Sequence, residues 1–255
     1  MPIVQIECSM RKWANIRFRL NIKLRNLFRK PNREAGNVPI IINNFNRLSY
    51  LKRQIDWLEN AGYKNIYIID NQSTYPPLLE YYKKLSYTIF RLDRNFGYRA
   101  LFDTHIMLNF INDYYVYTDS DILPIRDCPV DVLRQMKDLL SKYPNIGKIG
   151  FGLIIDDLPD NYILKQKVVD YESKYWLSKI NDEVYDALVD TTFALYRPGV
   201  KGDWQVKAYR TSYPYLAHHL PWYENSSQPS DEELYYIAKS NANSLWYSNL
   251  KNNSI

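Results

Sequence analysis

Apolar and polar positions follow two alternating rhythms from Val38 onward. "VPIIIN" reads as a short strand buried on both faces, and "RLSYLKRQIDWLENAG" follows with Leu48, Leu51, Ile55 and Leu58 at helical spacing and Gly62 as a stop. "KNIYIID" is a second strand, and "PPLLEYYKKL" a second helix with proline near its start. "YTIFRL" is a third strand, and "YRALFDTHIMLNF" predicts a third helix. "YYVYT" is a fourth strand, which delivers Asp119 and Asp121. Strands separated by helices predict βαβ units: an α/β fold with a mainly parallel, Rossmann-like sheet, right-handed crossovers and helices on both faces. After Asp121 the rhythm changes. "VDVLRQMKDLLSKY" is a helix and "GKIGFGLII" a strand, but the next regular strand, "TTFALYR", comes only after a long irregular stretch. "DEELYYIAKS" reads as a final helix.

The first residues have a different pattern. In "RKWANIRFRLNIKLRNLFRK", Trp13, Ile16, Leu20, Leu24, Leu27 and Phe28 fall in one helical stripe, with most Arg and Lys outside it. Arg17 intrudes on the stripe, and Phe18 and Ile22 sit on the polar side. A basic amphipathic helix of this kind suits an anionic membrane interface, or packing against its own domain or a partner. "KPNREAGNVP" then breaks the pattern with Pro31, Gly36 and Pro39. The expected organisation is an arm and linker over residues 1–36, then one domain over 37–255. Within it, 37–125 is the half built of βαβ units and 126–255 the half that follows.

Charge sharpens that division. The net charge is +5, yet residues 1–33 hold nine basic side chains (Arg11, Lys12, Arg17, Arg19, Lys23, Arg25, Arg29, Lys30, Arg33) against Glu7, a net of +8. The remaining residues therefore carry −3. A nucleic-acid reader spreads its basic groups over a folded face, so nucleic acid is not the expected partner. Two cysteines, Cys8 and Cys128, are too few for a disulfide framework. The start has no secretory signal pattern and no apolar run is long enough to span a bilayer. A cytoplasmic protein, peripheral on the inner face of the cytoplasmic membrane through residues 11–30, is the expectation. Tyrosine is abundant, 24 against 9 phenylalanines, which fits either compositional bias or a surface that stacks on sugar rings.

Ligands of open parallel sheets bind outside the carboxyl ends of the strands. Here those ends read "NNFNR" (Asn43 to Arg47), Asp70–Asn71, "RNFGYR" (Arg94 to Arg99) and Asp119–Ser120–Asp121. Any one alone would be a capped turn; together they make a polar cleft. Two carboxylates at i and i+2 diverge unless the chain turns, and Pro124 is consistent with a turn there. One acid can then ligate a hard cation, Mg²⁺ or Mn²⁺, while the other meets a hydroxyl or a metal-bound water. Taken alone, D-x-D is a weak motif.

"VPIIINNFNRLSYLKRQIDWL", "NIYIIDNQST", "LDRNFGYRALF" and "YYVYTDSDILP" resemble, in order and spacing, the nucleotide-binding half of a bacterial GT-A-fold glycosyltransferase similar to family 2. "FGLIIDDLPD", "DTTFALYRPG" and "YLAHHLPWY" look like the acceptor half. The resemblance implies that Asn46 and Arg47 lie at the nucleotide and that Asp70 accepts a hydrogen bond from the base, usually uracil. Asn95, Gly97 and Arg99 would line the donor cleft. Asp119 would touch the ribose or the metal shell, Asp121 would ligate the metal, and a late histidine, His219 rather than His218, would complete the site. Other roles stay open: Asp70 as a turn former, Arg47 as an exposed helix-start charge, Gly97 as backbone relief, His219 as aromatic packing at a substrate rim. His105, beside Ile106 and Met107, reads as structural.

One departure matters: the Glu-Asp pair that supplies the catalytic base in many family members is absent from its usual context. Asp190, directly before "TTFALYR", is the first candidate and Asp157 the second. Asp156, Glu224 and the helix-start acids Asp231, Glu232 and Glu233 rank behind them. The implied activity is metal-dependent, inverting transfer of a sugar from a nucleotide diphosphate sugar, UDP-linked, to a glycan or lipid-linked glycan in surface polysaccharide or lipopolysaccharide synthesis. Three rivals stand beside it. A sugar-phosphate nucleotidyltransferase would open with a Gly-rich loop, which "NNFNRLS" lacks. A phosphatase with D-x-D-x-T would carry that motif on its first strand. The third is a non-catalytic GT-A-like glycan-binding protein.

Overall fold

In the computed structural model the described residues are 3–6, 34–190, 192–201 and 206–240. The amphipathic segment 11–30 lies outside them. Among the described residues no helix is long and apolar enough to cross a membrane.

The architecture is mixed α/β. Among the described residues nine strands form one sheet in the order β1-β4-β3-β2-β5-β10-β7-β11-β9, with β2 spanning Ile40–Asn44, β3 Ile66–Asp70, β4 Thr88–Leu92 and β5 Tyr115–Asp119. From β1 (Ile3–Ile6) through β5 every pairing is parallel. Beyond β5, β10 (Ala194–Tyr196) runs antiparallel between β5 and β7 (Lys148–Gly150). The sheet ends in β11 (Ala208–Thr211) and β9 (Val184–Asp186).

Alternation along the central strands builds two cores. Ile40, Ile42, Ile66, Ile68 and Val116 face one layer, where they meet Leu51, Ile55 and Leu58 of α1 (Ser49–Asn60), Leu78 and Tyr82 of α2 (Pro76–Tyr82), and Leu133, Met136 and Leu140 of α3 (Val132–Lys142). Ile41, Ile69, Phe90, Tyr115 and Tyr117 face the other layer, covered by Leu101, Ile106, Met107 and Phe110. Because strands buried on both faces carry no polar alternation, "VPIIIN" reads as a continuous apolar run.

Two predicted elements differ. The segment 98–110 is not an α-helix; it folds as two 3-10 turns, Gly97–Arg99 and His105–Asn109. Thr104 is extended between them, with its hydroxyl donating to the Ala100 carbonyl at 2.7 Å, while Asp103 binds Arg99. Side-chain competition for the backbone thus stops helical propagation. "GKIGFGLII" is likewise not one strand: β7 belongs to the large sheet, and β8 (Gly152–Leu153) to a second, three-stranded sheet, where it follows β6 (Ile122–Pro124) and β12 (Leu216–His219) in the order β6-β12-β8. The turn-off depends on glycine, because a Cβ on Gly152 would lie 2.5 Å from the Thr211 carbonyl oxygen. Helices α4 (Lys165–Glu172) and α5 (Asp231–Lys239) complete the chain's regular elements in the described residues.

Candidate active site

Chain progression through β2, β3 and β4 moves one way across the sheet, and β5 then adds on the other side of β2. The switch point, where such sheets open a crevice, therefore lies between β2 and β5. Asn43 of β2 is the partner of Asp119 of β5 in that ladder. The Asn43 amide donates to the Asp119 carboxylate at 2.9 Å and its oxygen accepts from the Asn71 amide at 3.2 Å. Asn71 in turn donates to the Gly97 carbonyl at 2.8 Å and accepts from the Phe96 N–H. Gly97 has φ +61, which suits glycine, and its N–H donates to Asn95 Oδ1 at 2.7 Å. Three strand ends are thereby tied into one floor.

The Asp-Ser-Asp turn is held from behind. Gln54 of α1, fully buried, donates to the carbonyls of Asp119 at 3.0 Å and Ile122 at 2.6 Å. Ser120 donates to Asn44 Oδ1 at 2.7 Å, and its N–H to the Asn43 carbonyl. With the middle residue pinned inward, the two aspartates flank the turn.

His219 reaches Asp121 through the small sheet. Strand β6 (Ile122–Pro124) pairs antiparallel with β12 (Leu216–His219), placing His219 opposite Ile122, and the Leu220 N–H donates to the Asp121 carbonyl at 2.8 Å. His219 Nε2 then lies 3.5 Å from Asp121 Oδ2. Among the described residues, Asp121 Oδ1 and His219 Nδ1 are buried without a hydrogen-bond partner. The ring packs on Trp222, with centroids 4.6 Å apart. Desolvation lowers the affinity of this imidazole for a proton; Asp121, Glu172 and Asp190 oppose that shift, and Arg47 adds to it. Among the described residues no group of three or more His, Cys, Asp or Glu side chains is arranged to hold an ion. Asp121 and His219 offer two ligands, which suits a hard cation that keeps water and substrate phosphate oxygens in its shell.

The remaining predicted residues divide by position. Asp70 is fully buried; its carboxylate accepts from Ser73 N–H at 3.2 Å, the Tyr82 hydroxyl at 3.3 Å and Arg91 Nε at 3.0 Å. Burial raises its pKa, with Ser73 and Arg91 opposing. Asp70 thus sits behind the cleft surface, holding the loop after β3. Asn46 is also buried, at φ 52, and its oxygen accepts from the N–H groups of Thr74 and Tyr75 at 2.8 and 2.9 Å. Arg47 is buried rather than an exposed helix-start charge: it forms an ion pair with Glu233 and lies 3.6 Å from the Tyr236 ring centroid. Arg99 pairs with Asp103 at 2.8 Å.

His218 and His219 diverge, as neighbours on a strand do. His218 Nε2 meets Asp157 Oδ2 at 3.1 Å, and the other oxygen of Asp157 accepts from the Tyr223 hydroxyl. Asp157 therefore belongs to the His218 side of β12. Asp190 is exposed. Of the lesser candidates, Glu224 accepts from the Tyr50 hydroxyl at 2.6 Å and Glu232 from Ser49. Sequence reasoning missed Gln54 and Tyr236. Gln54 sits at a core position of the α1 stripe, and a polar residue at such a position is the available signal.

No protein-family profile matches the chain, and no curated protein is similar to it in sequence. Among solved structures it is similar to a cytidylyltransferase from Leptospira borgpetersenii serovar Hardjo-bovis, at 16% identity, TM-score 0.34, covering 48% of this chain and 56% of that one. It is similar to glucosyl-3-phosphoglycerate synthase from Mycobacterium tuberculosis in complex with phosphoglyceric acid, at 10% identity, TM-score 0.39, covering 66% and 63%. A UDP-glucose pyrophosphorylase complexed with UDP-glucose aligns at 13% identity, TM-score 0.39, covering 79% and 100%. The chain thus spans less than two thirds of the length of the first two structures.

Proposed function

We propose that this protein is a metal-dependent, inverting glycosyltransferase. It would move a sugar from a nucleotide diphosphate donor, UDP-linked, to a glycan or lipid-linked glycan in surface polysaccharide or lipopolysaccharide synthesis. The observation that carries the reading is the Asp121–His219 pair, 3.5 Å apart with one bare carboxylate oxygen, at the end of the strand that borders the switch point.

Asp121 and His219 would hold Mn²⁺ or Mg²⁺, with Asp119 at the ribose or the outer shell. The ion would supply positive charge for the departing diphosphate. Asn43, Asn71 and the Gly97 turn form the floor on which the donor would lie, with Asn95 and Arg99 at its edge. Asp70 and Asn46 support that floor from behind, and Arg47 would stand at its edge beneath α5, paired with Glu233 and lying against Tyr236. Inversion calls for in-line attack by an acceptor hydroxyl, and that hydroxyl needs a base within hydrogen-bond reach. Asp190 is preferred as the base because it is exposed, whereas Asp157 is occupied by His218 and Tyr223. The basic segment 11–30 would bring the enzyme to an anionic membrane surface, where its acceptor is anchored.

The test is an activity panel with nucleotide sugars and Mn²⁺, reading nucleoside diphosphate release and sugar transfer. Release of pyrophosphate from a nucleoside triphosphate and a sugar phosphate would instead mark a nucleotidyltransferase.

A further inference from the structure

Helix α5 is docked by charge and hydrogen bonds rather than by aliphatic packing. Glu233 is its one buried side chain, and Leu234 is 53% exposed. Glu233 pairs with Arg47 across the chain, their side chains 7% and 4% exposed. Glu232 accepts from both the N–H and the hydroxyl of Ser49, at 3.0 and 2.7 Å, and so caps the start of α1. The Tyr235 hydroxyl donates to the Thr74 carbonyl at 3.0 Å, and its ring lies 5.0 Å from Tyr75. Tyr236 meets Phe45 at 5.9 Å and lies against the Arg47 guanidinium. One helical turn and its neighbours thus grip the loops that follow β2 and β3, two of the strand ends bordering the candidate site.

The half-buried Tyr236 ring lies against Arg47, three residues beyond the end of β2, the strand whose Asn43 is bonded to Asp119. Burial raises its phenol pKa to about 12; Arg47 opposes the rise, and the charges of Asp121, Asp119 and Glu233 add to it. A buried ion pair fixes geometry while contributing little net stability, and a nine-residue helix has little stability by itself. No residue of α5 belongs to either hydrophobic core, so these contacts alone hold it in place among the described residues.

We propose that α5 is a strap that closes the donor cleft, and that Tyr236 is a donor-contacting residue whose ring packs against the nucleoside part of a nucleotide diphosphate. Glu233 is a positioning residue that sets Tyr236 through Arg47. The proposal rests on the donor-site reading above and adds a residue and a motion to it.

Calorimetry of the wild type with UDP, GDP, CDP and ADP, each with Mn²⁺, identifies the diphosphate that binds. With that ligand, Tyr236→Ala should weaken binding roughly tenfold, the loss of one stacked ring, whereas Tyr236→Phe stays near wild type. Glu233→Gln should raise the donor KM with kcat near wild type, and Glu233→Asp should restore part of the loss. Amide hydrogen exchange across residues 231–239 of the wild type should slow when the diphosphate binds; this measurement needs no variant and decides the matter if Tyr236→Ala fails to fold. Unchanged affinity in a folded Tyr236→Ala, or unchanged exchange on binding, overturns the strap alone. A wild type that binds none of the four diphosphates overturns the donor-site reading and the strap together.

Discussion

Asp121 and His219 meet at 3.5 Å because two short strands zip together immediately after the aspartate pair, placing His219 opposite Ile122. The other carboxylate oxygen of Asp121 is buried with no hydrogen-bond partner among the described residues, and it is the oxygen that the proposed cation would engage.

Asp121→Asn removes one of two nearby negative charges and breaks no hydrogen bond of that side chain among the described residues. Its melting temperature without metal should match or exceed the wild type, while the Mn²⁺-dependent shift and transfer activity vanish. Full metal-dependent turnover in the variant would remove Asp121 from the metal site.

Asp190→Asn should lower kcat at least ~100-fold with donor affinity near wild type, the signature of a group acting only in the transition state. Asp157→Asn should weaken the contacts to His218 and Tyr223 and leave kcat within about threefold. If the two results are exchanged, the base lies on the His218 side of β12.

Asp70 gives a stability signature independent of activity. Its folded-state pKa is raised, chiefly by burial, so the native state holds its proton more tightly than the unfolded chain. Stability from this group is present at low pH and is lost as pH rises from the ordinary carboxylate value toward the raised one. Urea unfolding from about pH 4 to 7 should show that loss in the wild type and a flatter profile in Asp70→Asn. An identical slope in both would mean that Arg91 and Ser73 fully offset the burial.

Membrane attachment is testable without cutting the chain. Deleting residues 1–33 would also remove β1, which pairs with β4 at the sheet edge. Replacing the nine basic residues between Arg11 and Arg33 by Gln keeps β1 and removes the attraction, up to about 1 kcal/mol per charge at an anionic surface. The variant should leave anionic vesicles yet act on a soluble acceptor. Vesicle binding that persists in the variant, or that resists high salt in the wild type, contradicts the role.

The parallel half of the fold was legible because its signals are local. Ile40 to Ile42 form an unbroken apolar run, and Leu51, Ile55 and Leu58 repeat at helical spacing. The small sheet was not, because β6, β8 and β12 are two to four residues long and owe their existence to pairing between distant segments. The segment 98–110 misled through its apolar content, while Thr104 and Asp103 spent their side chains on the backbone and on Arg99. In the site, the strand-end aspartates and the late histidine stood out by residue type. Glu233 did not: three acids opening a helix read as favourable charge at its N-terminus, and nothing near them points to Arg47.

A nucleotide sugar and a divalent ion should bind this cleft together. Thermal shifts of the wild type across a panel of nucleotide sugars, each with and without Mn²⁺, measure that linkage directly. A ligand at 100 times its Kd should stabilise by about 2.7 kcal/mol. The prediction is a shift with one nucleotide sugar, UDP-linked, that requires Mn²⁺ and is absent in Asp121→Asn. No shift with any nucleotide sugar, or a shift of equal size without the metal, would contradict it.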